Sequence, residues 1–204
     1  MLNGKKVLSD DVIGFIGKKE DIMNVVIKNI MTRRSIRKYT EHPVEREKIE
    51  ILLKAAMSAP SAGNQQPWDF IVVAQKEIIN KVRQASRYAA PLEGAPLCII
   101  VCGNLQKERL YASKLHKIFK IKPKYWVLDC SAATENILLA AHAIGLGAVW
   151  IGIYPDQHCM EYISRIFGLP KYVKPIAVIS IGYPAEEKDP ADRFIDTNVH
   201  WERW

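Results

Sequence analysis

The chain has 204 residues, of which 49% are hydrophobic and 25% charged, and carries a formal net charge of +7. This is the norm for a soluble globular domain able to bury a substantial core, and no run of about 18 apolar residues offers a membrane span. The positive balance favours an anionic ligand or serves solubility. Because the basic residues are scattered beyond one early cluster, it does not by itself point to nucleic acid.

Residues 1–20 are punctuated by Gly4, Gly14 and Gly17. They lack the continuous apolar stretch of a secretory signal, so a cytoplasmic protein is expected, with 1–20 as an extension of unknown role before a single domain over 21–204. Residues 21–32 read as a helix, with Ile22, Val25, Val26 and Ile30 on one face. Arg33-Arg34-Ser35-Ile36-Arg37-Lys38-Tyr39 follows, with four cations and a hydroxyl in seven residues. An irregular loop is expected there. Forked guanidinium donors and a short hydroxyl suit a small phosphate. A solvated basic helix end and a nucleic-acid backbone contact stand beside that reading.

Val44 to Met57 reads as a second helix, with Pro43 at its start. The next stretch, Ser58-Ala59-Pro60-Ser61-Ala62-Gly63-Asn64-Gln65-Gln66-Pro67-Trp68, is a proline-bracketed loop of small and amide residues. Its backbone can approach a ligand closely, and its amides match the edge of a flat heterocycle. An ordinary turn is the plainer reading. Buried strands are expected at Asp69–Ala74 and Pro96–Cys102, with a helix over 76–90 between them. Residues 104–125 carry many charges and are where substrate contact is expected.

Val127–Ile144 is the strongest helix, closed by Gly145 and Gly147, with Asp129 near its start complementing the helix dipole. A strand is expected over Ala148–Pro155, a helix from Pro155 to Phe167, and a last core strand over Pro175–Gly182. The four cysteines, Cys98, Cys102, Cys130 and Cys159, read as buried free thiols. Cys98 and Cys102 face the same side of a strand at a spacing too long to bridge. The five histidines share no metal-ligand spacing, and no metal is expected. Strands separated by helices, without Gly-x-Gly-x-x-Gly opening a helix, give an α+β or mixed α/β layer with no dinucleotide fingerprint.

Taken in order, these pieces resemble the FMN-dependent nitroreductase family. The matching stretches are Arg33–Tyr39, Pro43-Val44, Ala59–Phe70, Leu139-Ala140-Ala141, Gly145-Leu146-Gly147, Trp150-Ile151-Gly152 and Ile179–Pro184. The resemblance covers residues 23 to about 195, and its force lies in the shared order and spacing. It implies an α+β fold with a central, mostly antiparallel sheet flanked by helices. It also implies a homodimer with an extended C-terminal segment and FMN at the subunit interface. By the same resemblance, Arg33, Arg34 and Ser35 hold the phosphate with help from Arg193, and Arg37 reaches towards the ring. Pro60, Ser61 and Asn64, with Gln65 beside them, contact the flavin from the partner subunit. The Ile151-Gly152 backbone lies beside its reactive face.

The implied chemistry is two half-reactions. NADH or NADPH reduces FMN, and an electron-poor acceptor such as a nitroaromatic or quinone then takes the hydride. The flavin carries the reaction, so no side-chain nucleophile is required. Tyr125 and Trp126 are candidates for lining the acceptor site, with packing as the alternative. Enone reduction and reductive dehalogenation are alternatives within the family. A basic nucleic-acid binder is the reading outside it.

Overall fold

The computed structural model describes residues 25–107 and 125–204. These form two compact units. Among the described residues, the smaller combines 25–33 with Asp189–Trp204, and the larger lies within Arg34–Lys188. Residues 1–20, expected to be an extension, lie outside the described residues.

The larger unit is built on one four-stranded sheet. Its strands are β1 (Trp68–Val73), β2 (Leu97–Asn104), β3 (Gly147–Gly152) and β4 (Val173–Gly182), in the order β1-β2-β4-β3. Every pairing is antiparallel. The α+β class and antiparallel sheet expected from the resemblance are therefore observed. The β2–β4 register shifts between Val101 and Cys102, opposite Pro175, which has no N–H to give to the ladder.

Helix α1 (Val25–Thr32) belongs to the smaller unit. In the larger, α2 (Arg46–Met57) and α4 (Tyr125–Ala143) cover one sheet face, and α3 (Lys76–Arg83) and α5 (Gln157–Phe167) cover the other. The period-two alternation of β2 explains the three layers. Leu97, Ile99 and Val101 pack with Leu52, Ala56, Ala133 and Ile137. Cys98, Ile100 and Cys102 point the other way, towards Ile79, Val82 and Ile163. Both central strands are thus buried on two sides, which is why they read as continuous apolar runs.

All four cysteines are free and buried, and burial pushes the Cys98 and Cys102 thiols up to about 12. The helix expected over 76–90 breaks. It ends at Arg83, and the Ser86 hydroxyl accepts the Tyr88 N–H at 3.2 Å to start a separate 3-10 turn, Arg87–Leu92. A serine side chain competes with the helical backbone for that N–H. Helix α4 ends at Gly145 (φ 77°), where the Leu146 N–H reaches back to the Ala141 carbonyl at 2.8 Å. Gly147 instead opens β3. A Cβ there would lie 2.6 Å from Ile36, so its role is close backbone approach.

In the smaller unit, α1 has no buried residue. Val25, Val26, Ile30 and Met31 are exposed, as are Phe194, Trp201 and Trp204 near the C-terminus. The ring of His200 stacks on Trp204 at 4.1 Å.

Candidate functional site

The basic segment is extended, and it adds to the sheet rather than looping away. Ser35 bridges Ala148 in parallel, and the Ile36 N–H donates to the Ala148 carbonyl at 3.1 Å. Ser35 and Ile36 therefore meet β3 near its start, at Ala148, while Lys38 and Thr40 pair onward with Ala185 and Tyr183. Further on, Tyr39 bridges Pro184. Its hydroxyl donates to the Ile36 carbonyl at 2.6 Å, with the Ser180 carbonyl 3.1 Å away. Burial pushes this phenol above its ordinary range, so it stays a proton donor.

Glu186 fixes the segment from the far side. It accepts the Arg37 N–H at 2.6 Å and the Lys38 N–H at 3.3 Å. Lys188 bridges Glu186 (2.9 Å) and the Ser35 carbonyl (2.9 Å). The Arg37 N–H, followed by Lys188, holds the Glu186 carboxyl below the usual carboxylate range. With its backbone held, Arg37 keeps an exposed side chain, and Nη1 lies 3.3 Å from the Ser35 carbonyl. Sequence reasoning missed Glu186 and Lys188. In Ala185-Glu186-Glu187-Lys188 they look like any surface charge run, and only the antiparallel pairing of Lys38–Thr40 with Tyr183–Ala185 sets them against residues 35–38. Arg33 and Arg193 belong to the smaller unit.

The amide loop leaves the end of α2. Residues Ala62–Asn64 form a 3-10 turn with Gly63 at φ 59°. Asn64 (φ 53°) and Gln66 (φ 50°) also adopt left-handed backbone, which is uncommon outside glycine. Local bonds hold it: the Asn64 N–H donates to the Ser61 carbonyl, and the Gln66 N–H to the Ser61 hydroxyl, each at 2.9 Å. Pro60 and Asn64 are exposed, while Ser61 and Gln65 are half-buried.

Asp129 departs from the dipole role expected of it. Helix α4 begins at Tyr125, so Asp129 sits in the second turn, buried, and accepts the Ala62 N–H at 3.1 Å. Burial raises its carboxyl above the ordinary 3.8, with the Ala62 N–H pulling the other way.

The two candidate lining residues separate. Tyr125 is exposed, whereas Trp126 is buried. The Trp126 ring lies on Gly103, where a Cβ would run into it, and meets Tyr154 edge-on at 5.3 Å. The packing alternative therefore describes Trp126. Most of the segment expected to touch substrate, residues 108–124, lies outside the described residues.

Gly152 tests whether these residues suit a flat cofactor. It is exposed, and a Cβ there would meet nothing within 4 Å. Unlike Gly147 and Gly103, it is not required by packing inside the chain. It leaves open backbone at the end of β3, the strand whose start is bridged by Ser35 at Ala148. Cations beside the start of that strand, with bare peptide and open space at its end, suit a group with a phosphate tail and a planar head.

Comparison with known proteins agrees. The Nitroreductase family model matches residues 30–183. A provisionally named NADH dehydrogenase/NAD(P)H nitroreductase of Methanothermobacter thermautotrophicus is 46% identical over 179 residues, covering 88% of this chain and 87% of that protein. The FMN reductase [NAD(P)H] of Bacillus subtilis is 31% identical over 171 residues, covering 80% of this chain and 68% of that one. Among solved structures, an FMN-dependent nitroreductase of Clostridium difficile superposes with a TM-score of 0.77 at 32% identity, covering 87% of this chain and 99% of that one. With its sheet, its basic edge strand and its amide turn in the family's order, the chain belongs to the nitroreductase family.

Proposed function

We propose that this protein is an FMN-dependent oxidoreductase that takes hydride from NADH or NADPH and passes it to an electron-poor small molecule, such as a nitroaromatic or a quinone. Family membership supports the flavin oxidoreductase class, and the B. subtilis relative carries both FMN and NAD(P)H in its name. One observation carries the residue-level reading: the braced basic segment bridges the start of the edge strand β3 at Ala148, and the same strand ends in the open peptide at Gly152.

Bound FMN supplies the centre that accepts and donates hydride. Arg34 and Ser35 hold its phosphate through charge-assisted and hydroxyl donors. Arg37 sets positive charge towards the pyrimidine side, favouring the reduced state. Pro60, Ser61, Asn64 and Gln65 bind the ring edge, Asn64 offering both a donor and an acceptor. Tyr125 borders the acceptor.

The sheet order supports a shared site. The basic segment flanks β3 at one edge, and the amide loop leads into β1 at the other. Three strand spacings, about 14 Å, separate the two edges. Helix α4 packs across the sheet face between them. A second copy of the chain, placed by a two-fold axis, brings one copy's amide loop to the other's basic edge. The buried free thiols fit a reducing, cytoplasmic setting.

The test is the absorption spectrum of the purified protein. A yellow protein bleached by NADPH and recoloured by a quinone is expected. A colourless protein that FMN cannot reconstitute would defeat the reading.

A further inference from the structure

Helix α4 touches the amide loop at Ala62 and the last turn of α2, which leads into it, at Ala55. Asp129 accepts the Ala62 N–H at 3.1 Å, and Asn136 Nδ2 donates to the Ala55 carbonyl at 2.9 Å. The two side chains are seven residues apart, two helical turns, so they share one face about 10 Å long. Between their attachment points the chain leaves α2, passes the buried Ala59 and enters the turn with left-handed backbone at Gly63, Asn64 and Gln66. Left-handed residues other than glycine persist only where their surroundings hold them. The local bonds from Ser61 shape the turn, and the α4 pair ties it to the core.

We propose that Asp129 and Asn136 are positioning residues that hold the amide turn in its cofactor-binding shape before FMN arrives. The proposal rests on the flavin reading above. Charge distinguishes this role from ordinary packing. The turn over Asp129 carries no ionisable side chain, and neither do Leu52 and Ala56, the α2 residues buried against α4. Cys130 beside it has its thiol directed at the Cys102 carbonyl, 3.7 Å away. Among the described residues, the carboxyl therefore sits in a buried place with one N–H partner and no cation to offset it. Because its folded pKa is raised, the ionised form costs folding stability at neutral pH, and stability rises as pH falls through that raised value. A residue kept for packing alone would do better uncharged. What the charge strengthens is its grip on the Ala62 N–H.

The experiment compares the full chain with Asp129→Asn, which keeps the shape and removes the charge, and with Asn136→Ala. Three quantities are read: amide exchange at Ala62 in FMN-free protein, melting temperature, and FMN Kd. In Asp129→Asn, Ala62 exchange should quicken about tenfold and the FMN Kd rise about tenfold, with Tm unchanged or higher. Asn136→Ala should raise the Kd in the same direction. Unchanged Ala62 exchange, or a lower Tm with an unchanged Kd, would overturn the proposal and leave Asp129 a core residue. Faster exchange with unchanged FMN affinity would also overturn it, and would remove the turn from the flavin site. A wild-type chain that binds no FMN would overturn it together with the flavin reading.

Discussion

Arg34 and Gly152 make opposite kinds of contribution, and each gives a prediction. Arg34→Ala removes a charge-assisted phosphate contact, so the FMN Kd should rise about ten- to a hundredfold by fluorescence titration. A single cation at the surface contributes little to folding, so Tm should move by no more than a degree or two, about the effect expected of a surface substitution. Gly152→Ala adds one methyl group to open space at an ordinary backbone angle. Stability should hold or rise by up to about 1 kcal/mol. FMN affinity should fall, because the methyl enters the volume assigned to the ring. Equal FMN affinity in either variant would remove that residue from the site. The physical types of these residues were legible in the sequence; their bracing was not. Nothing local to Glu186 or Asp129 announces a backbone N–H partner 149 or 67 residues away.

The basic segment shows how an element that looks irregular is made definite by what it packs on. Ile36 lies over Gly147, and Glu186 takes two N–H groups of the segment. Gly147→Ala should therefore push the segment off β3 and cost about 1–3 kcal/mol, the usual range for overpacking, measurable by urea unfolding. Wild-type stability in that variant would mean the contact yields freely. For Glu186, the carboxyl held below its ordinary 4.5 contributes stability that is fully present above that value and is lost as pH falls through the lowered one. Glu186→Gln should accordingly destabilise at pH 7, with the difference from wild type fading under acid conditions. A difference that persists there would point to shape rather than charge. The long apolar runs of β2 and β4 and the Ala-rich α4 were legible because burial on several faces leaves a plain hydrophobic signature. The break after Arg83 was not, since one serine hydroxyl decides it against an otherwise continuous helical period.

The whole molecule raises the question of what completes it. The smaller unit exposes Val25 at 81%, Trp201 at 81% and Trp204 at 99%. Large apolar groups left bare in one chain commonly mark an interaction surface. The two segments proposed to bind the flavin, in turn, lead to opposite edges of one sheet. Both observations are met if two copies share two sites. The resemblance in the sequence pointed to a dimer, but local patterns carry no symmetry operator; the sheet order adds that the two segments lead to opposite edges. The direct test uses a mixed dimer, purified by two tags, of Arg34→Ala with Asn64→Gly, glycine being chosen because it tolerates the left-handed backbone at that position. Each homodimer has both sites damaged. The mixed dimer, if the site is shared, pairs the unaltered basic edge of one chain with the unaltered amide turn of the other and should hold about one FMN per dimer. A mixed dimer as empty as either parent would contradict the shared site.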